Sequence, residues 1–357
     1  MAHVDKSPDS RSHGKNKQAK DNSPPKPTVS LESQQRLLDV FRKTFEELLN
    51  PDAINEVLMP KLQIVKTHLF NRDFTQAFGD AASLRAYAAR WSSSRALAYH
   101  EIFQTLLNPF LDTSKTDKLS VVSSGGGGGA ELVGFGGLLT QTQHANDESE
   151  DQKPYNDIEM TTVDIADWSA VLQALNATMQ EDLALLKNGR QRMAFTACQK
   201  NLLEADTLQS GPIADALTGA DLVTIFFTLN ELFTDSLPKT QTFLLNMTRV
   251  LKSGALLVVV DSAGSYSSVS LGTTGNSSIG SKATGQPKHT PQGRKYPMAW
   301  LLDHVLLKLA SELTPDKTSP WTKLETIESR WFRLSDKLRY PIKLEDMRYQ
   351  AHVFQHR

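Results

Sequence analysis

Cysteine is almost absent. Cys198 is the single one in 357 residues. That excludes a disulfide framework and a cysteine-ligated zinc site, and it fits a reducing compartment. Long apolar runs are missing too. None approaches the roughly 18 residues of a membrane span, and the N-terminus lacks the apolar core of a signal peptide. Net charge is lacking: 39 Lys and Arg oppose 40 Asp and Glu, a formal balance of −1. No global pull toward nucleic acid or a membrane exists, so any such affinity rests on local patches. These absences predict a soluble, intracellular chain. The length, 357 residues, suffices for one large domain or two ordinary ones, and 39% hydrophobic residues support a real core.

Residues 1–30 carry Lys6, Arg11, Lys15, Lys17, Lys20 and Lys26 and few large apolar groups. They read as a disordered basic tail, either simply solvated or an arm for nuclear import or RNA contact. Residues 31–113 read as an N-terminal helical cap. Leu37, Leu38, Phe41, Phe45, Leu48 and Leu49 recur at helical spacing. Pro60 opens a second helix, and a third element runs from Leu84 to Arg90. One of Ser92, Ser93 and Ser94 is expected to cap a fourth, Arg95 to Leu107, which Pro109 stops.

Five consecutive glycines at 125–129 follow a β-prone run, 119–123, and precede a helix-like one beginning at Ala130. Strand, glycine turn, helix is how nucleotide-binding α/β domains begin, because glycine lets the backbone approach a ligand and the helix offers free N–H groups. Gly125, Gly127 and Ala130 satisfy the dinucleotide pattern. Gly125, Gly127 and Gly129 equally satisfy the first motif of S-adenosylmethionine (SAM) methyltransferases. A flexible linker is the third reading.

The later order narrows these. A polar acidic insertion, 140–156, precedes strand two, 158–163, which ends on Asp164. Asp167 caps a helix over 168–175, with another over 179–186. Strand three covers 192–197, strand four 222–227 and strand five 255–260, ending on Asp261; a helix over 239–251 separates the last two. A low-complexity insertion, 262–293, is followed by a helix over 298–313 and late segments at 327–334 and 349–356. A late strand pair favours an α/β, Rossmann-like class I SAM-dependent methyltransferase sheet over 114–357, rather than a dinucleotide dehydrogenase.

SAM needs a backbone cradle for its methionine end, a carboxylate for its ribose and a partner for its adenine. The candidates are Gly125, Gly127 and Gly129 for the first, with Ser123 and Glu131 flanking the turn, Asp164 for the second and Asn201 for the third, with Asp206 in reserve. An acid normally stands at the position of Ser123, so one contact to the methionine amino group is weakened. Asn230 and Glu231, polar within an apolar run after strand four, belong at the cleft. Cys198, on strand three, reads as a structural thiol, which disfavours methylation at pyrimidine C5. No metal is called for.

Residues 36–357 resemble the fungal SAM-dependent methyltransferases of 25S ribosomal RNA uridine N3. The resemblance rests on Arg72–Phe74, Ala77–Gly79, Leu84–Tyr87, the stretch Arg90–Tyr99, the glycine turn with Ala130 and Glu131, Thr228–Leu232, and Arg339–Ile342. It implies methylation of a uridine N3 in large-subunit rRNA, with Glu231 or Asp261 as candidate base beside Asn230. It implies rRNA or a preribosome as partner, no membrane, and a nuclear and nucleolar location extending to the cytoplasm; the oligomeric state is left open, with a monomer favoured. Arg330, Trp331, Arg333, Arg339 and Tyr340 interleave cations with aromatics as RNA-contacting surfaces do, while Arg90 and Arg95 would face the RNA from the helical side. The alternative is a catalytically inactive, methyltransferase-like ribosome assembly factor.

Overall fold

The computed structural model describes residues 29–107, 109–110, 118–141, 157–187, 189–264, 268–270 and 295–357. Seven strands build the main sheet: β1 (Lys118–Ser124), β2 (Asp157–Asp164), β3 (Met193–Gln199), β4 (Leu222–Phe226), β5 (Leu256–Ser262), β6 (Trp321–Phe332) and β7 (Met347–His356). They make one sheet in the order β6-β7-β5-β4-β1-β2-β3. The first five are parallel, and β7 inserts antiparallel between β5 and β6. This is the class I SAM-dependent methyltransferase topology. β4 is buried along its whole length. It reads as an unbroken apolar run because both faces of the sheet are covered.

Five parallel strands put their C-terminal ends on one edge, where ligands bind in open α/β sheets. Helix α5 (Ala130–Gln141) leaves the glycine turn there, and α6 (Ser169–Asp182) follows β2. The two helices expected over 168–186 are thus one. Val171, Leu172, Leu175 and Met179 share its buried face, while Asn176 and Thr178 turn to Gln180 and Ala174 instead of breaking it. Helices α7 (Pro212–Gly219), α8 (Leu229–Asp235), α9 (Leu237–Val250) and α10 (Met298–Asp303) complete the layers. The α10 helix continues through a π turn and a 3-10 turn to Leu313.

In the N-terminal part, α1 (Leu31–Thr44) is capped by Ser30, and α2 (Met59–Phe70) follows a π turn. Next come α3 (Ala81–Tyr87), a π turn at Ala88–Ser92, α4 (Ser93–Ile102) and a π turn at Phe103–Leu107. Residues 81–107 therefore form one continuous rod. Neither Ser92, Ser93 nor Ser94 caps a new helix. Ser93 and Ser94 donate to the Ala89 and Trp91 carbonyls, and all three are buried. The small side chain of Ser92 lets the rod lie close against Gly128 of the glycine turn. Leu37, Phe41, Phe103, Phe135, Val121 and Val258 belong to one hydrophobic cluster that joins the N-terminal helices to the sheet.

Both expected insertions fall largely outside the described residues, as does the tail before Val29. At their edges, Thr140 and Gln141 end α5 and Ser268–Ser270 pairs with Lys295–Pro297. No helix among the described residues is long and apolar enough to cross a membrane.

Candidate active site

The glycine turn joins β1 to α5. Gly125 and Gly129 have φ of +86° and +78°, which strains any L side chain. Gly127 is glycine for another reason: a Cβ there would stand 1.9 Å from Trp168 Cδ1. Thr228 packs over Gly125, and Ser92 and Tyr87 over Gly128. A flexible linker would not be enclosed in this way.

Asp164, at the end of β2, ties the turn down. Its Oδ2 accepts the Gly127 N–H at 3.2 Å and its Oδ1 accepts the Ala166 N–H at 3.0 Å. Burial raises its pKa, and the backbone donors offset part of the rise. The Trp168 indole N–H is near enough to lower that pKa too, yet it meets no acceptor in hydrogen-bond geometry.

Ser123 and Glu131 were expected at the cofactor; they lie beneath the turn. Ser123 Oγ donates to Glu131 Oε2 at 2.7 Å, and Thr224 Oγ1 donates to Oε1. Glu131 is 2% exposed. Burial pushes its carboxyl up to about 7, against the pull of both hydroxyls.

Gly127, Thr162, Asp164, Trp168, Cys198 and Gln199 help to bound a cavity of about 10 Å³, room for about one water. The Trp168 indole fills the place beside it. These residues fit SAM: a cradle that a Cβ would close, a strand-end carboxylate, and a buried indole N–H without a partner. A cavity of this size admits the cofactor only if its lining moves. A larger cavity, about 430 Å³, is bounded entirely by the loop 334–346 and touches none of these groups.

Asn201 spends its Oδ1 on the Leu203 N–H at 2.9 Å, closing its own turn, and Asp206 pairs with Lys200. Cys198 is half-buried on β3, and burial raises its thiol pKa, the wrong direction for a nucleophile.

The acids meet at the ends of β4 and β5. Asp261 is 3% exposed. Its Oδ2 accepts the Asn230 N–H at 3.0 Å and its Oδ1 the Ser262 N–H at 2.7 Å. Burial pushes it up to about 6, with the Glu231 charge adding and the Arg95 charge opposing. Asn230 and Glu231 open α8. Glu231 pairs with Arg72 at 3.0 Å, so the segment after α2 reaches the site. Phe227, held at φ +55°, donates its N–H to the Val260 carbonyl at 2.7 Å and stands beside Asp261.

Arg95 Nη1 donates to Tyr87 Oη. Its guanidinium carbon lies 5.7 Å from the Tyr87 ring centroid and 5.3 Å from that of Phe227. Arg90 Nη2 pairs with Glu345. Phe78, Tyr87, Trp91 and Trp168 form a contiguous aromatic cluster above the turn.

The C-terminal candidates separate. Trp331 is 48% exposed, with Arg333 stacked 3.8 Å and Arg348 5.9 Å from its ring. Arg333 also pairs with Asp346. Arg330 stands opposite Tyr349, which stands opposite Ser262. Arg330 and Trp331 thus share the edge of Asp261, roughly 10 Å away across two strand spacings. Arg339 is exposed, and its backbone N–H binds Gln35 Oε1. Tyr340 is corrected: its hydroxyl donates to the Ala89 carbonyl at 2.7 Å, so it pins the loop to the rod rather than facing RNA. Trp168, Tyr87, Phe227 and Thr224 were missed. Only Tyr87 carried a signal, as part of the resemblance. Among the described residues, no group of three or more His, Cys, Asp or Glu could hold a metal ion.

The family model described as "Putative SAM-dependent methyltransferase" matches residues 41–355. The chain is 31% identical over 330 residues to the 25S rRNA (uridine(2843)-N(3))-methyltransferase of Saccharomyces cerevisiae, covering 88% of this chain and 83% of the relative. Among solved structures it is similar to an O-methyltransferase family protein from Burkholderia thailandensis, at 14% identity and TM-score 0.38, covering 85% of this chain and 73% of that one. It is also similar to the N-methyltransferase NodS of Bradyrhizobium japonicum in complex with S-adenosyl-l-homocysteine, at 10% identity and TM-score 0.33, covering 72% and 87%. The family match takes in the rod from its start, the glycine turn, both strand-end acids and the antiparallel pair, and on that ground the chain belongs to this family of SAM-dependent methyltransferases.

Proposed function

We propose that this chain methylates N3 of a uridine in large-subunit ribosomal RNA. The observation that carries the reading is the 31% identity across 88% of the chain to the yeast enzyme of that name. SAM supplies a methyl group made electrophilic by its sulfonium. The chain supplies the rest. The glycine turn cradles the methionine end, and Asp164 receives the ribose hydroxyls. Asp261 is the base that takes the weakly acidic N3 proton. Its pKa of about 6 leaves it mostly ionised near neutrality while still basic, which is where a general base works best. Asn230 fixes that carboxylate through its backbone N–H. Trp331 and Arg333 offer a stacking and phosphate-pairing platform at the same edge. This reading goes with large-subunit rRNA or a preribosome as partner and with a location in the nucleus and nucleolus that extends to the cytoplasm.

The test is mass spectrometry of rRNA nucleosides from cells lacking the protein. The 3-methyluridine content of the large-subunit rRNA should fall. The wild-type chain should restore it and Asp261→Asn should not. Unchanged 3-methyluridine refutes the proposal.

A further inference from the structure

Arg95 has no assigned task in the reading above, yet it stands at the centre of the site. The rod that carries it touches the cofactor turn through Tyr87 and Ser92, both packed on Gly128. Phe227, beneath its guanidinium, is bonded to the strand residue that precedes Asp261. Arg95 therefore lies between the methyl-donor cradle and the acid. Tyr99, one turn further along the rod, meets Phe226 edge-to-face, stacks on Phe227 and walls this space. The facing charged and titratable groups are Tyr87, Tyr99, Glu345 and Asp261, with Glu231 beside Asp261.

The guanidinium is held but not used up. Nη1 is engaged by Tyr87 Oη, and Nε and Nη2 have no hydrogen-bond partner among the described residues. Two aromatic faces fix its plane. A planar, permanently charged donor fork, pre-positioned beside a buried carboxylate, suits a carbonyl oxygen that gains negative charge.

We propose that Arg95 binds the 4-carbonyl oxygen of the target uracil and holds the charge that N3 leaves on the ring. When the N3–H bond breaks, the proton passes to an Asp261 oxygen. The electron pair stays on the ring, shared between N3 and the flanking carbonyl oxygens, and Arg95 donates to one of them. The same donors read the base. At the 4-position uracil presents an acceptor and cytosine an amino group, so a cytosine would set donor against donor. This rests on the uridine reading above but reaches further, since it names the residue that selects uridine over cytidine.

The test uses the full chain with Arg95→Lys, which keeps the charge and loses the fork, and Arg95→Met, which keeps the apolar stem. Melting temperature and SAM affinity serve as controls for folding. Binding of ten-residue oligouridylate and oligocytidylate is measured by fluorescence anisotropy. Single-turnover methylation is measured against pH on large-subunit rRNA from cells lacking the protein. Wild type should prefer oligouridylate, and Arg95→Met should lose that preference. The methylation rate at pH 7 should fall on the order of 10²–10³-fold, and the rising limb of the pH profile should move to higher pH. Arg95→Lys should recover part of the rate. If instead the preference and profile are unchanged while the salt dependence of binding drops by about one contact, Arg95 pairs a phosphate and the proposal is overturned. If wild type does not methylate uridine but its preference for oligouridylate depends on Arg95, only the functional reading fails. If wild type neither methylates uridine nor prefers oligouridylate, both fail.

Discussion

Replacing Glu131 with Gln isolates the most strongly perturbed acid of the cofactor half. Glu131 is 2% exposed and receives one hydroxyl on each oxygen, from Ser123 and Thr224. Burial, with the nearby Asp164 charge adding, holds its pKa at about 7 instead of the ordinary 4.5. At 1.36 kcal/mol per pH unit, that difference is on the order of 3 kcal/mol. The sign follows from linkage. Between pH 4.5 and 7 the folded chain keeps a proton that the unfolded chain has released, so this group's contribution to stability falls as pH rises through that window. Below it both states are protonated, and above it both are ionised, so the cost is constant. Gln mimics the protonated acid and cannot ionise. The variant should match wild type near pH 4.5, gain progressively to about pH 7, and hold its lead above. Urea midpoints of both proteins at several pH values between 5 and 8, with unchanged slopes, measure the gap. A gap that does not widen with pH would mean that Glu131 is ionised throughout, and the buried-acid reasoning would be wrong.

Asp164→Ala should weaken SAM binding on the order of 1–3 kcal/mol by calorimetry, through lost hydrogen bonds; unchanged affinity in a folded variant removes it from the site. Gly127→Ala places a Cβ 1.9 Å from Trp168 Cδ1, and overpacking of this kind costs about 1–3 kcal/mol. The variant should unfold earlier in urea, and an unmoved midpoint would show that the indole yields freely. Trp331→Ala should weaken RNA binding by about 1–3 kcal/mol per stacked base and leave SAM affinity alone. Equal loss of both ligands would make Trp331 structural.

The cofactor half of the site was readable along the chain because its signals are local. A glycine run, the strand before it, the helix after it and an acid at the next strand end all lie within short stretches. Asp164 was legible as the acid that ends the second strand, although it lies farther from the glycines than is usual, and its Oδ2 accepts the Gly127 N–H at 3.2 Å. The substrate half was not readable in that way. Tyr87, Arg95, Phe227 and Asp261 come from a helical rod and two strand ends, and no periodicity announces that the rod lies across those ends. Ser92, Ser93 and Ser94 pointed the wrong way. Polar residues before an apolar stretch signal a cap, but here they are buried small residues within a continuous helix, and Ser92 packs on Gly128. Tyr340 misled for a related reason. Lys337, Arg339 and Lys343 around it suggest a solvated surface, and only the distant Ala89 carbonyl shows that the ring turns inward.

Ser123 was the sharpest local departure, a hydroxyl where the motif carries an acid. Along the chain it reads as a lost contact. In three dimensions a carboxylate is present at that place, brought by α5 rather than by β1. Glu131 Oε2 lies 2.7 Å from Ser123 Oγ, within the reach of a longer acidic side chain at 123. In the sequence Glu131 looks like an acid in the first turn of a helix, favoured there by the dipole and placed at the cofactor. Thr224, 93 residues away, supplies the second hydroxyl that makes its burial tolerable. An acid at both positions would place two carboxylates against each other beneath the turn, where neither could stay ionised without large cost. The serine at 123 and the glutamate at 131 are therefore one feature. The first is small and neutral because the second already occupies the space and the charge.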